Sequence, residues 1–221
     1  VYTDQLNAGN ASAHTTAQQN VINMEFDINL SYTIPSNGKA RIVSLKETTL
    51  AADYNYLIIP KLDTDAFLLA RITGWEDQGL LPGNANIYFG NSLVARTFFN
   101  TTTFTDTLSV SLGRDKGIEV ARTMLKDKSS NKVIGSDRKV ERVIEIEVRN
   151  ARSATAEIIV MDQIPVSTDN SIKVNAGDLS GAELNELTGM LTWRKKLKAK
   201  DTQKFRFSFD VTYPKDRRVD I

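Results

Sequence analysis

Alternation of apolar and polar side chains limits what this chain can become more than any other feature. From Met24 to Ile34 the even positions Met24, Phe26, Ile28, Leu30, Tyr32 and Ile34 are apolar, and the odd positions between them are polar. Near the other end Phe205, Phe207, Phe209, Val211 and Tyr213 alternate with Arg206, Ser208, Asp210 and Thr212, and Pro214 closes the run. Successive side chains of a strand point to opposite faces, so a period of two marks a half-buried strand.

Further runs predict strands at Ile42 to Leu50, Tyr54 to Ile59, Phe67 to Ile72, Ala85 to Phe89, Leu93 to Phe99, Leu108 to Leu112, Ile118 to Met124, Val140 to Val148, Glu157 to Gln163 and Met190 to Leu197. Short strands at short intervals read as an antiparallel sandwich or barrel. Ser36-Asn37-Gly38, Pro82-Gly83-Asn84, Gly90-Asn91 and Gly113 to Gly117 supply the turn residues that hairpins require. Gly181 to Thr188 is the single helix candidate. The polar first twenty residues bury too little to fold and read as a leader or linker. The chain opens on Val1 rather than Met, as a processed or excised terminus would.

These signals predict an all-β protein of two consecutive antiparallel sandwich-like halves, residues 21–113 and 114–221. The second is immunoglobulin-like. It holds six runs or short extended segments, one below the seven strands usual for that sandwich, so its sheet edge is completed by another segment or left available.

Composition removes several chemistries. Without cysteine there is no disulfide, thiol nucleophile or thiolate-ligated metal. The only imidazole is His14, in the polar leader, where nothing fixes it as a catalytic base. A formal net charge of +1 provides no global field for nucleic acid, and no apolar run is long enough for a bilayer. No phosphate-binding glycine motif is present, and no cofactor is expected.

Four local features carry weaker signals. Asp63-Thr64-Asp65 has the spacing that begins a calcium loop, but Ala66, Phe67, Leu68 and Leu69 follow where oxygen ligands belong. A strand-entry Asx turn is the simpler reading. Trp75 and Trp193, with Tyr88, suggest an aromatic platform for a sugar ring, although Trp193 shares its parity with Leu191 and Leu197 and is expected to face inward. Arg194, Lys196, Lys198 and Lys200 form a basic stripe, read either as a polyanion site or as a solvated face paired with Glu145 and Glu147. The sequons at Asn10, Asn29 and Asn100 matter only on a eukaryotic secretory route.

Several blocks resemble the C-terminal domain of the mucoidy inhibitor A family, a domain of unknown function. They are Ile59-Pro60-Lys61-Leu62-Asp63, Ile72-Thr73-Gly74-Trp75, Leu80 to Ile87, Ser109 to Asp115, Asp162 to Ser167, Gly189 to Trp193, and the closing Tyr213-Pro214-Lys215-Asp216. The resemblance implies a C-terminal part of a longer bacterial envelope or periplasmic protein, and it brings no catalytic residues. Arg114 and Asp115, at a turn between strands, are the first choice for a polar contact. The resulting expectation is a non-catalytic structural or interaction module whose partner is another protein or a domain of the same chain. A carbohydrate-binding module and a carboxylate-dependent hydrolase are the alternatives.

Overall fold

The computed structural model describes residues 15–19, 24–28, 36–38, 42–99 and 107–220. His14, Asn10, Asn29 and Asn100 lie outside them, as does the expected strand beyond Ile28. The chain forms two compact units, one of Val1–Ala52, Ile72–Asn84 and Phe98–Leu108, the other of Asp53–Arg71, Ala85–Thr97 and Ser109–Ile221. Both are discontinuous in sequence.

In the first unit, β1 (Thr15–Gln19) and β2 (Met24–Ile28) form an antiparallel pair. The strand expected at Ile42 to Leu50 is absent, and that segment runs without a sheet partner among the described residues. Its apolar residues do not alternate strictly, so neither face can be buried as a set. Polar contacts hold it instead: Lys46 donates to the Gln78 carbonyl at 2.7 Å and Thr48 to the Gln78 side chain at 3.0 Å.

The second unit contains the main core, between two sheets. Its strands, some of which begin or end in the first unit, are β3 (Ala52–Ile59), β4 (Asp63–Thr73), β5 (Gly83–Phe89), β6 (Ser92–Phe99), β7 (Thr107–Arg114), β8 (Ile118–Met124), β9 (Ser130–Ile134), β10 (Asp137–Asn150), β11 (Ala156–Gln163), β12 (Lys173–Ala176), β13 (Glu183–Asn185), β14 (Met190–Leu197) and β15 (Thr202–Pro214). One sheet runs β12-β15-β10-β8, with β9 also on β10; the other runs β13-β14-β11-β3-β4-β7, and β5-β6 pair with each other. The all-β, sandwich-like architecture is therefore what the alternation implies.

The longest strands are the most regular. Phe205, Phe207, Phe209, Val211 and Tyr213 of β15 are buried in strict alternation, opposite β10, whose Val140, Ile144, Ile146 and Val148 share that core. Trp193 of β14 closes the space from the other sheet, with ring centroids 5.5 Å from Phe205 and 5.9 Å from Phe207. Its indole N–H donates to the Leu179 carbonyl at 3.0 Å, so burial leaves no polar atom unpaired there.

Two features depart from a pair of consecutive antiparallel sandwiches. β3 lies parallel to β11, with Tyr56, Leu57 and Ile58 opposite Ile158, Ile159 and Val160. The six-stranded sheet thus takes strands from both sides of Gly113 to Gly117, and that turn does not separate one sandwich from another. An edge left short of strands by the C-terminal part is completed by β3, β4 and β7.

The Gly181 to Thr188 segment forms β13 and a turn rather than a helix. Three apolar residues, one of them the small Ala182, cannot offset the cost of nucleating a helix, and Leu187 is exposed. Leu184 instead pairs opposite Leu191 and packs on the core. Gly189 ends the turn at φ 71°, where an added Cβ would stand 2.2 Å from the Ile164 carbonyl oxygen. Gly135, in the turn between β9 and β10, has φ 61° with open space around it. Gly189→Ala is expected to destabilise the fold by about 2–4 kcal/mol through clash and strain, and Gly135→Ala by about 1 kcal/mol through strain alone. Denaturant unfolding of both variants measures the difference.

Candidate functional site

The Arg114-Asp115 pair lies where the β3–β4, β7–β8 and β10–β11 connections come together. Asp115 starts the tight turn into β8: its amide donates to the Ala66 carbonyl at 2.9 Å, and its side chain accepts from the Gly117 amide at 2.8 Å. The same carboxylate accepts from the Tyr56 hydroxyl at 2.8 Å and pairs with Arg152. Gly117 is required by space rather than by φ, since a Cβ would fall 2.8 Å from Cγ of Arg152. Arg114 bridges Asp63 (2.8 Å) and Asp65 (2.9 Å), Lys116 also pairs with Asp65, and the guanidinium lies 5.3 Å from the Phe67 ring centroid.

Electrostatics make this cluster a poor acid–base catalyst. Burial pushes the Asp115 carboxyl up, but the Gly117 amide, the Tyr56 hydroxyl and Arg152 together hold it below its ordinary value. A carboxylate so stabilised is a weak base near neutral pH. Tyr56 is pushed up to about 12, first by burial and then by its bond to Asp115, so it remains a protonated donor. Asp63 is held down by the Asp65 amide and then by Arg114. The amide contact is the expected Asx turn at the entry to β4, 2.9 Å long. Asp63 and Asp65 are taken up by Arg114 and Lys116, and no group of three metal-ligating side chains converges among the described residues.

The aromatic candidates separate. Trp75 is buried in the first unit, 5% exposed, with its ring edge-on to Phe99 at 5.7 Å, and has no face for a sugar to stack on. Tyr88, on β5, is 63% exposed. Trp193 faces inward, as its parity implies.

The basic stripe pairs with other acids than those expected. Glu145 and Glu147 face β15 in the other sheet, where they bind Lys204 and Arg206. Arg194 pairs with Glu183 at 2.5 Å and Lys196 with Glu157 at 2.6 Å, because β13 and β11 flank β14. Lys198 and Lys200 lie past the end of β14, and Lys200 binds the Ala151 carbonyl.

Two structural polar groups were not among the candidates. Asp162 on β11 is fully buried and bound by Arg122 of β8 through Nε at 2.8 Å and a second nitrogen at 3.2 Å, joining the two sheets. Its signal was available: Asp162 shares the inward parity of Ile158 and Val160, and Arg122 that of Ile118 and Val120. Asn150 is also buried; its amide donates to the carbonyls of Ala154, Leu197 and Lys198, and its oxygen accepts from the Arg152 amide. It secures the β10–β11 turn against the end of β14.

Three outcomes follow from this wiring. Arg122→Leu leaves a buried carboxylate unpaired and is expected to cost about 3–5 kcal/mol in chemical denaturation. Asp115 has a lower pKa folded than unfolded, so its contribution to stability is present above the unfolded carboxyl range and lost as pH falls through the folded value. Asp115→Asn should therefore melt well below the parent at neutral pH and converge with it in acid. Tyr56 has a raised pKa, so its contribution is present below about 10 and lost as pH climbs toward about 12. Tyrosinate absorbance should show one group titrating late, shifted part of the way back in Asp115→Asn.

Residues 3–215 match the family model described as Domain of unknown function (DUF4139). Protein F37C4.5 of Caenorhabditis elegans is 24% identical over 177 residues, covering 79% of this chain and 32% of the relative. The chain thus spans about a third of that relative's length.

Proposed function

The chain belongs to the DUF4139 family, and from that premise we propose that it is a non-catalytic β scaffold that works by contact with a further part of a longer polypeptide. The observation that carries this reading is the β5–β6 hairpin. It pairs with itself, and Tyr88, Phe89 and Leu93 on it are exposed. Aromatic side chains that are rigid and solvated in isolation lose the most water when a partner covers them. The worm relative has roughly two thirds of its length beyond this region, which is the argument for a covering segment in the same chain.

The charged cluster supports the non-catalytic part. Its acids and bases satisfy one another across three connections, so Arg114 and Asp115 act as a clasp that holds turns in place. The sequence blocks read as resembling the mucoidy inhibitor A family are the ground for proposing a bacterial envelope location, which osmotic-shock fractionation of the native protein would test; recovery in the cytosol alone would count against it.

Hydrogen exchange at residues 83–99, compared between this 221-residue chain and the longest natural polypeptide carrying it, tests the contact. Slower exchange in the longer protein is expected, and Tyr88→Ser with Phe89→Ser should remove that protection without lowering the melting temperature. Equal exchange in both proteins would refute the covering segment.

A further inference from the structure

A cavity of about 400 Å³ opens where β9, β10 and β15 run side by side. Register decides which side chains enter it, because residues directly opposite in an antiparallel pair share a face. Val140 is buried in the core, so Arg138 and Arg142, two positions to either side of it on β10, share that face. Tyr213 of β15 lies opposite Arg138 and Asn131 of β9 opposite Val140, so both share it too. Lys132, opposite Lys139, projects from the other face and takes no part. The tail after β15 adds Val219, which packs on the core, and Asp220.

The two arginines are drawn together over Val140. Their Cα atoms stand about 13 Å apart along the strand. Arg142 closes part of that gap: its Nη1 donates to the Asn131 side-chain oxygen at 2.9 Å, and Asn131 stands level with Val140, halfway to Arg138. The same nitrogen donates to the Glu141 carbonyl at 3.1 Å, which leaves Nε and Nη2 unbonded. Arg138 is exposed and has no partner among the described residues. Tyr213 supplies an independent observation. It is 6% exposed and lines the cavity, yet its hydroxyl makes no hydrogen bond among the described residues. A buried tyrosine usually finds a partner for that group. The Asn131 NH₂ is unbonded as well, so every unmet group here can donate. Asp220 is the one carboxylate among the lining residues, and it pairs with neither arginine.

We propose that this cavity binds a small phosphate monoester through its phosphate group. Arg138 and the free nitrogens of Arg142 take the charge, and the Tyr213 hydroxyl and Asn131 amide donate to the remaining oxygen. A terminal phosphate offers three acceptor oxygens and close to two negative charges at neutral pH, which matches a set of donors built around two guanidinium groups. The cavity falls within the range of about 300–1,000 Å³ usual for organic ligands, more than a phosphate alone fills. Val140 and Val219 supply apolar surface for the esterified group.

Amide chemical shifts of the 221-residue chain, followed by NMR during titration with phenyl phosphate, inorganic phosphate and benzoate, test the site. Phenyl phosphate is expected to move signals within residues 131–142 and 213–220. It should bind about tenfold tighter than inorganic phosphate, which lacks the ring, and than benzoate, which has one charge and two oxygens. Arg138→Gln and Tyr213→Phe should each weaken it about tenfold, the loss of one hydrogen bond to a charged group. Both variants should keep the parent melting temperature, since neither removed group has a partner in the protein. Shifts confined to other residues, or none at all, would overturn the proposal. Inorganic phosphate binding as tightly would remove the ester, and benzoate binding as tightly would remove the phosphate. Affinity unchanged in both variants would count equally against the site.

Discussion

The parallel alignment of β3 with β11 is the interaction on which the rest of the second unit depends. Without it, β11 would present an unpaired edge and β3, β4 and β7 would stand apart as a separate three-stranded sheet. Parallel pairing requires a long crossover, and here nearly a hundred residues separate the two strands, so its loop-closure cost is met only by the area the completed sheet buries. Tyr56 and Ile58 contribute to that burial directly, entering the same core as Ile158 and Val160. The pairing also brings Asn55 beside Glu157 and carries Tyr56 to Asp115.

Charge is used throughout to fasten connections. Arg122 and Asp162 tie one sheet to the other across the core, where removing either partner would strand a desolvated charge. At the strand ends the pairs are exposed and individually weak, yet Asp115, Arg152 and Asn150 interlock with backbone donors and acceptors of adjacent turns. The Asp115 carboxylate, held this way, titrates below its ordinary value. Tyr88, Phe89 and Leu93 of β5–β6, by contrast, are exposed apolar side chains.

Legibility in the sequence followed the strength of alternation. β15 and β11 were readable residue by residue because each buries one face fully, and a slip of one position would expose it. Ile42 to Leu50 read as a strand from its composition, but its apolar residues share no face. Ser130–Ile134 passed unnoticed because its exposed Val133 and Ile134 give no burial pattern; it is a strand because Gly135 turns the chain back along β10. Arg114 and Asp115 were visible as a charged turn between strands. The partners of Asp115, Tyr56 and Arg152, were not, since each is remote in sequence and ordinary in its local setting.

Side-chain alternation by itself determined that this chain forms strands and which residues of the longest ones face inward, and the absence of cysteine excluded thiol chemistry from it. Local turn chemistry determined the Asx entry at Asp63 for the same reason: the interacting atoms are two residues apart. Tertiary structure alone decided that β3 joins β11, that Lys196 meets Glu157 rather than Glu145, that Trp75 is enclosed, and that the buried Asn55 oxygen has no hydrogen-bond partner among the described residues. Periodicity reports the direction of a side chain relative to its own strand and carries no information about which distant strand lies alongside. Long-range pairing is settled by the burial and hydrogen bonding of the assembled sheet, quantities that exist only after the chain has closed on itself.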